Sequence, residues 1–184
     1  MKDDRWEYRI WAGADDLVPL THRIVGAATA DENAQYRTDT YLLGGEEMSS
    51  FKLRYRRVLE IKELLGTKGV AEHWFLAVRQ EPPYSEDSLA RLGLSASAGE
   101  SPDAVVAAAE KAGMTALPVR KHRRRFSLSK GEAEITEAMF NGKIFTTIGI
   151  ETPLYEACVE MAEQLGLTDY ENVSYEAFLS GHLK

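Results

Sequence analysis

The sequence predicts an α+β fold: one domain built on an antiparallel β-barrel, a tunnel with a polar interior and flanking helices. Three observations carry this. Three segments that read as strands each place cations two residues apart: Arg5 and Arg9; Lys52, Arg54 and Arg56; Lys121, Arg123 and Arg125. Each also carries apolar or aromatic residues at the intervening positions, and strand side chains alternate between faces. An unpaired charge turned into an apolar core costs several kcal/mol or more, so such a face needs water or counter-charge. For one strand the ordinary answer is a solvent-facing side. Three together suit a closed sheet whose polar face turns inward around an anion.

The elements follow in order. Residues 5–11 alternate Arg5, Glu7 and Arg9 against Trp6, Tyr8 and Ile10, a strand ended by Gly13. Asp15 and Asp16 open a helix that reaches about residue 25. Residues 36–43, rich in Thr and Tyr, form a strand closed by Gly44-Gly45. Residues 51–63 read as one long strand or two. A turn at 66–69 returns the chain through a strand at 71–80, which Pro82-Pro83 ends. The Ser/Gly/Ala-rich stretch 85–101 reads as a surface excursion.

Ser101-Pro102-Asp103 combines an N-cap, a proline in the first turn and an acid at the positive dipole end. That helix runs to about residue 112, where Gly113 stops it. Pro118 leads into a strand at 119–128, Gly131 into one at 132–139, and Asn141-Gly142 is a strong hairpin signal before the strand 144–151. Thr152-Pro153 starts the last long helix, with Leu154, Ala157, Cys158, Met161, Ala162 and Leu165 as its apolar stripe and Gly166 as its stop. No repeat or linker divides residues 1–184.

Composition narrows the function. The chain has 184 residues, 44% hydrophobic, with a formal charge of −7 and a single cysteine. The negative charge argues against general nucleic-acid affinity, which comes from neutralising phosphates with Lys and Arg. The cations cluster at 52–57 and 120–125, which points to a local anion site. No apolar run approaches the roughly 20 residues that span a bilayer. The start is charged from Lys2, and one cysteine fits a reducing compartment, so a cytoplasmic location is expected. The four histidines show no metal-ligand spacing, Cys158 lies on an apolar stripe, and neither a P-loop nor Gly-x-Gly-x-x-Gly is present. In the run 120–125, alternation splits Lys121, Arg123 and Arg125 from a solvated side of Arg120, His122 and Arg124.

The ordered series of segments resembles the CYTH, or triphosphate tunnel, family. Gln35-Tyr36-Arg37-Thr38-Asp39-Thr40-Tyr41 is similar to its second strand, and Leu53-Arg54-Tyr55-Arg56 to the Arg-x-Arg strand that grips phosphates. Phe75-Leu76-Ala77-Val78-Arg79 resembles the strand that ends in a phosphate-facing lysine, and Lys121-His122-Arg123 the later Lys-x-Arg strand. Glu151, the helix after it and Val173-Ser174-Tyr175-Glu176-Ala177-Phe178-Leu179 are similar to the family's ending.

The resemblance implies hydrolysis of a triphosphate such as tripolyphosphate, thiamine triphosphate or a nucleotide, or in a few members cyclisation of ATP. Mg²⁺ or Mn²⁺ would be held by tunnel carboxylates. It assigns Arg9, Arg54, Arg56, Arg79, Lys121 and Arg123 to phosphate, Glu7 and Glu151 to catalysis, and Glu7, Glu137 and Glu151 to metal. The pattern departs in two places. The first-strand Glu-x-Glu-x-Lys reads Arg5-x-Glu7-x-Arg9, or in the other register Glu7-x-Arg9-x-Trp11. The late Glu-x-Glu reads Gly149-Ile150-Glu151, and its preceding acid is Glu137 or Glu134. A metal-dependent hydrolase is therefore expected, with a polyphosphate- or nucleotide-binding module that does not cleave as the alternative and a pure interaction protein as the third reading.

Overall fold

A computed structural model describes residues 4–45 and 49–183; residues 1–3, which include the charged start, lie outside them. Nine strands and five α-helices succeed one another as β1 Asp4–Ala12, α1 Ala14–Ala27, β2 Ala30–Asp31, β3 Gln35–Leu43, β4 Ser49–Arg54, β5 Val58–Lys68, β6 Ala71–Gln80, α2 Glu86–Ala90, α3 Pro102–Lys111, β7 Thr115–Leu128, β8 Gly131–Phe140, β9 Lys143–Thr152, α4 Tyr155–Leu165 and α5 Tyr175–Gly181. A 3₁₀ turn, Ala96–Glu100, separates α2 from α3. Pairing runs β7-β3-β4-β5-β6-β1-β9-β8 and returns from β8 to β7, which closes an eight-stranded antiparallel barrel; β2 adds a short extra strand on β7. Closure gives every barrel strand two neighbours and removes sheet edges.

The barrel is turned inside out relative to an ordinary core. Its apolar alternates point outward and are covered by helices. Tyr8, Ile10, Phe126, Ile148 and Ile150 pack with Leu20 and Ile24 of α1 and with Cys158, Met161, Ala162 and Leu165 of α4. The stripe read for α4 is thus the buried face, except that Leu154 stands exposed at its N-cap. Burial pushes the Cys158 thiol up to about 12, with the Glu7 charge adding to it, so Cys158 is a core residue. On the far side Leu42, Phe51, Leu53, Leu59 and Ile61 meet Val105 and Ala109 of α3.

Several boundaries differ from the sequence reading for physical reasons. Of the two readings of residues 51–63, two strands is the observed one, with the break at a turn over 55–57, where Tyr55 and Arg56 have positive φ. The next turn falls after Lys68. Pro118 lies inside β7, past the end of the β8 pairing. The stretch 85–101 is no surface excursion: Leu89, Leu92, Leu94 and Ala98 are buried against the barrel. Each of the three leucines contributes about 1.5–3 kcal/mol by leaving water. The hairpin is as read, with positive φ at Asn141 and Gly142. Among the described residues no helix is long and apolar enough to cross a membrane.

Candidate functional site

The inward faces enclose a cavity of about 380 Å³, within the range of roughly 300–1,000 Å³ usual for small-molecule sites. Ten cations and seven carboxylates line it, a surplus of three positive charges inside a chain whose formal charge is −7. One end is closed by α5 and the residues just before it. Val173 N donates to the Arg9 carbonyl at 2.8 Å and Trp11 Nε1 donates to the Val173 carbonyl at 3.1 Å, while Phe178 stacks on Trp11 at 3.6 Å. Along β7 the side chains open progressively: Lys121 is 3% exposed, Arg123 11% and Arg125 29%. The mouth therefore lies at the Arg125 end.

At the closed end Lys121 Nζ donates to the Tyr41 hydroxyl at 2.7 Å, lies 3.2 Å from Asp39 Oδ2 and sits 3.7 Å from the centre of the Tyr175 ring. Burial depresses the Lys121 amine to about 7; Asp39 resists this, and the nearby charges of Lys52 and Arg37 add to it. Asp39 itself is held down at about 2, because Lys121, Lys52 and Arg37 outweigh its burial.

Going round the barrel, β7, β3 and β4 form a cationic wall with Lys121, Arg123, Arg125, Arg37, Lys52 and Arg54. Next to it, Glu60 on β5 takes Lys52 at 3.3 Å, Arg54 at 3.0 Å and Arg79 at 3.1 Å, and those cations bring its carboxyl to about 2 against the effect of burial. Arg79 reaches this group because β5 and β6 slip register between Ile61 and Lys62, a bulge that returns the end of β6 to the inward face.

The opposite wall, β1, β9 and β8, carries the acids. Cross-strand register aligns Glu7, Glu151 and Glu132 in one row and Arg9, Gly149 and Glu134 in the next. Glu134 accepts from Arg9 Nη2 at 2.8 Å and also pairs with Arg123; the two guanidiniums hold it well below the usual carboxylate range despite burial. Glu7 pairs with Lys62, yet burial, with the charge of Glu151 adding to it, leaves its carboxyl raised. Glu132 pairs with Arg125. Glu151 has no ion pair within 4 Å among the described residues.

The structure brings together Glu7, Arg9, Arg54, Arg79, Lys121, Arg123 and Glu151 from the residues singled out in the sequence. Two fall elsewhere. Arg56 occupies the exposed turn between β4 and β5, and Glu137 lies on the outer face of β8, 57% exposed and paired with His122 at 3.0 Å. The inward acids of β8 are Glu134, the alternative, and Glu132. Arg37, Lys52, Glu60, Lys62 and Tyr175 also line the cavity and were not assigned. Glu60 and Lys62 continue the two-residue spacing of Lys52 and Arg54, a signal that was present. Arg37 and Tyr175 carried none of their own.

Most of the inward carboxylates are already engaged in this arrangement. Among the described residues no group of three or more His, Cys, Asp or Glu converges to hold a metal. Glu7, Glu60, Glu132 and Glu134 are each taken by a side-chain cation instead.

No protein-family model matches the chain, and no curated protein matches it either. Solved structures do. A conserved hypothetical protein of Pyrococcus furiosus superimposes with a TM-score of 0.63 at 17% identity, over 93% of this chain and 97% of that one. A Hippeastrum protein named as an adenylyl cyclase, and described as having a dominant triphosphatase activity, gives 0.58 at 15% identity over 96% of each chain. A Bacillus halodurans protein provisionally classed as an adenylate cyclase gives 0.57 at 13% identity, over 100% of this chain and 98% of that one. The chain thus shares its barrel fold, over nearly its whole length, with these proteins.

Proposed function

We propose that the chain binds a short polyphosphate or a nucleoside triphosphate in the tunnel, with the phosphate oxygens against the β7-β3-β4 wall. One observation carries this reading. Buried hydrogen-bond donors almost always have partners, yet Arg37 Nη1, Arg54 Nε, Arg123 Nε and the Tyr175 hydroxyl have none among the described residues, and all four side chains line the cavity. Three of these are guanidiniums, whose planar N–H fork matches phosphate oxygens. The positive surplus in the cavity, in a negatively charged chain, favours a small polyanion over an extended nucleic acid.

Titration calorimetry with tripolyphosphate, thiamine triphosphate and ATP tests it. Arg54→Ala is the informative variant, since Glu60 keeps Lys52 and Arg79. Losing a charge-assisted bond worth about 1.5–3 kcal/mol weakens binding roughly 10- to 100-fold. No saturable heat with any of the three, or an unchanged affinity in Arg54→Ala, refutes the reading.

A second reading, hydrolysis of the bound anion, is favoured by Glu151. It is the carboxylate of its row that lacks an ion pair, it lies beside Glu7 in register, and a carboxylate so placed can orient water. Phosphate release, followed first without added metal and then with Mg²⁺ and Mn²⁺, is expected to vanish in Glu151→Ala if this reading holds. Release that persists in the variant rejects the role of Glu151.

A further inference from the structure

In the register Glu7-x-Arg9-x-Trp11 the two places where the sequence departs from the carboxylate pattern, Arg9 and Gly149, stand opposite each other. In the first row Lys62 reaches across from β5 to Glu7, and its charge also acts on Glu151. In the second row the Arg9 guanidinium lies flat over Gly149. A Cβ at position 149 would stand 2.6 Å from Arg9 Nη2 and 2.8 Å from Cζ, so no other side chain fits there while Arg9 holds its place. Arg9 is fixed by Glu134 at 2.8 Å and by the Thr147 hydroxyl at 3.2 Å, and its side chain is 8% exposed.

We propose that in this chain the Lys62 ammonium and the Arg9 guanidinium stand where a divalent ion would, so that the tunnel binds its anion without metal. The inference rests on the polyphosphate reading above and deepens it. A Mg²⁺ ion bound through phosphates still needs one or two carboxylates. Glu151 is the one acid of the first row without an ion pair among the described residues, and for Glu7 to join it Glu7 must release Lys62 and leave a mostly buried ammonium without its partner. A carboxylate introduced at 149 must eject Arg9 from Glu134. In the register Glu7-x-Arg9-x-Trp11 the absent acids fall at 9 and 149, and the one guanidinium of Arg9 occupies the place of both.

Mn²⁺ alone, titrated against the protein and followed by electron paramagnetic resonance, tests the metal half without reference to any anion. The wild type is expected to show no saturable Mn²⁺ binding. Lys62→Met, which frees Glu7 beside Glu151, is expected to gain it, together with a Mn²⁺-dependent rise in Tm that the wild type lacks; Lys62→Gln serves the same purpose should the methionine variant not fold. Tripolyphosphate is expected to bind at least as tightly in EDTA as in Mg²⁺. Saturable Mn²⁺ binding by the wild type, or tripolyphosphate binding that EDTA abolishes, overturns the inference and leaves the polyphosphate reading intact. Absence of tripolyphosphate binding in both buffers overturns that reading, and metal-free anion binding falls with it.

Discussion

The two walls of the tunnel are built by the same strand alternation and differ in what their charges do. On β1, β9 and β8 the acids Glu7, Glu132 and Glu134 are engaged by Lys62, Arg125, Arg9 and Arg123. On β7, β3 and β4 the cations outnumber the acids, and N–H groups of Arg37, Arg54 and Arg123 are left without acceptors. The acid wall, Glu151 apart, is paired from within the protein; the cations of the other wall are paired as well, yet several of their N–H groups keep no acceptor among the described residues. What those groups lack is oxygen acceptors, and a phosphate chain supplies them in a row. On the proposed reading, the difference separates residues that hold the barrel together from residues that would hold the anion.

The sharpest way to break this comparison is to remove the acid that both walls share. Glu134 receives Arg9 from one side and Arg123 from the other. Glu134→Ala leaves two mostly buried guanidiniums facing each other with no counter-charge, and breaking a buried pair in this way costs about 3–5 kcal/mol. Urea unfolding is expected to show that loss, with Arg54→Ala close to wild type in the same experiment. Equal stability of Glu134→Ala and wild type would mean that the acid wall is not structural.

A smaller effect separates the closed end from the rest of the cationic wall. Lys121 titrates at about 7 in the folded protein against its usual 10.5. Below about 7 it is charged and adds to the pull on a polyanion; above it the amine is neutral, so its share of the affinity falls as pH rises through 7. Stability moves the other way. Between about 7 and 10.5 the unfolded chain binds a proton at Lys121 that the folded chain does not, so the contribution of this group to stability rises with pH over that window. Comparing Lys121→Met with wild type removes the titration of the ligand itself. The affinity ratio of wild type to variant is expected to shrink as pH passes from below to above 7, while the gap in Tm changes in the opposite sense. A ratio that stays flat would show that Lys121 remains charged throughout or never meets the anion.

Much of this was legible in the residues. Alternation placed Arg5, Glu7 and Arg9 on one face, and Asn141-Gly142 fixed a hairpin whose register is the observed one. That register was enough to choose between the two candidate acids. With Phe140 opposite Lys143, Glu132 falls opposite Glu151 and Glu134 opposite Gly149, so an inward Glu151 requires inward Glu132 and Glu134 and turns Glu137 outward. Glu137 and Glu134 differ in parity, so only one of the two candidates can share a face with Glu151. Other features depend on closure and have no local sign. Lys62 meets Glu7 across 55 residues of chain, and Arg9 covers Gly149 only because β1 and β9 are neighbours. Arg56 kept the right parity and still left the tunnel, because the chain reverses at 55–57.

The smallest expected effect concerns what closes the tunnel. Ser174 caps α5 by accepting from Ala177 N at 3.3 Å, and α5 begins with Tyr175, whose ring lies 3.7 Å from Lys121 Nζ and 4.6 Å from Arg9 Cζ. Removing an N-cap hydroxyl costs about 0.5–2 kcal/mol. Ser174→Ala therefore loosens α5 first, because Leu179 and Phe178 still anchor its far side against Trp11 and Phe145. Hydrogen exchange is expected to quicken at the α5 amides and to stay unchanged in β7 and β3. If the ligand is held by the cationic wall, the variant keeps its affinity to within the effect of a small loss of order, well short of Arg54→Ala. An affinity loss as large as that of Arg54→Ala would place Tyr175 among the groups that bind the anion, and the division would then run between the closed end and the mouth instead of between the two walls.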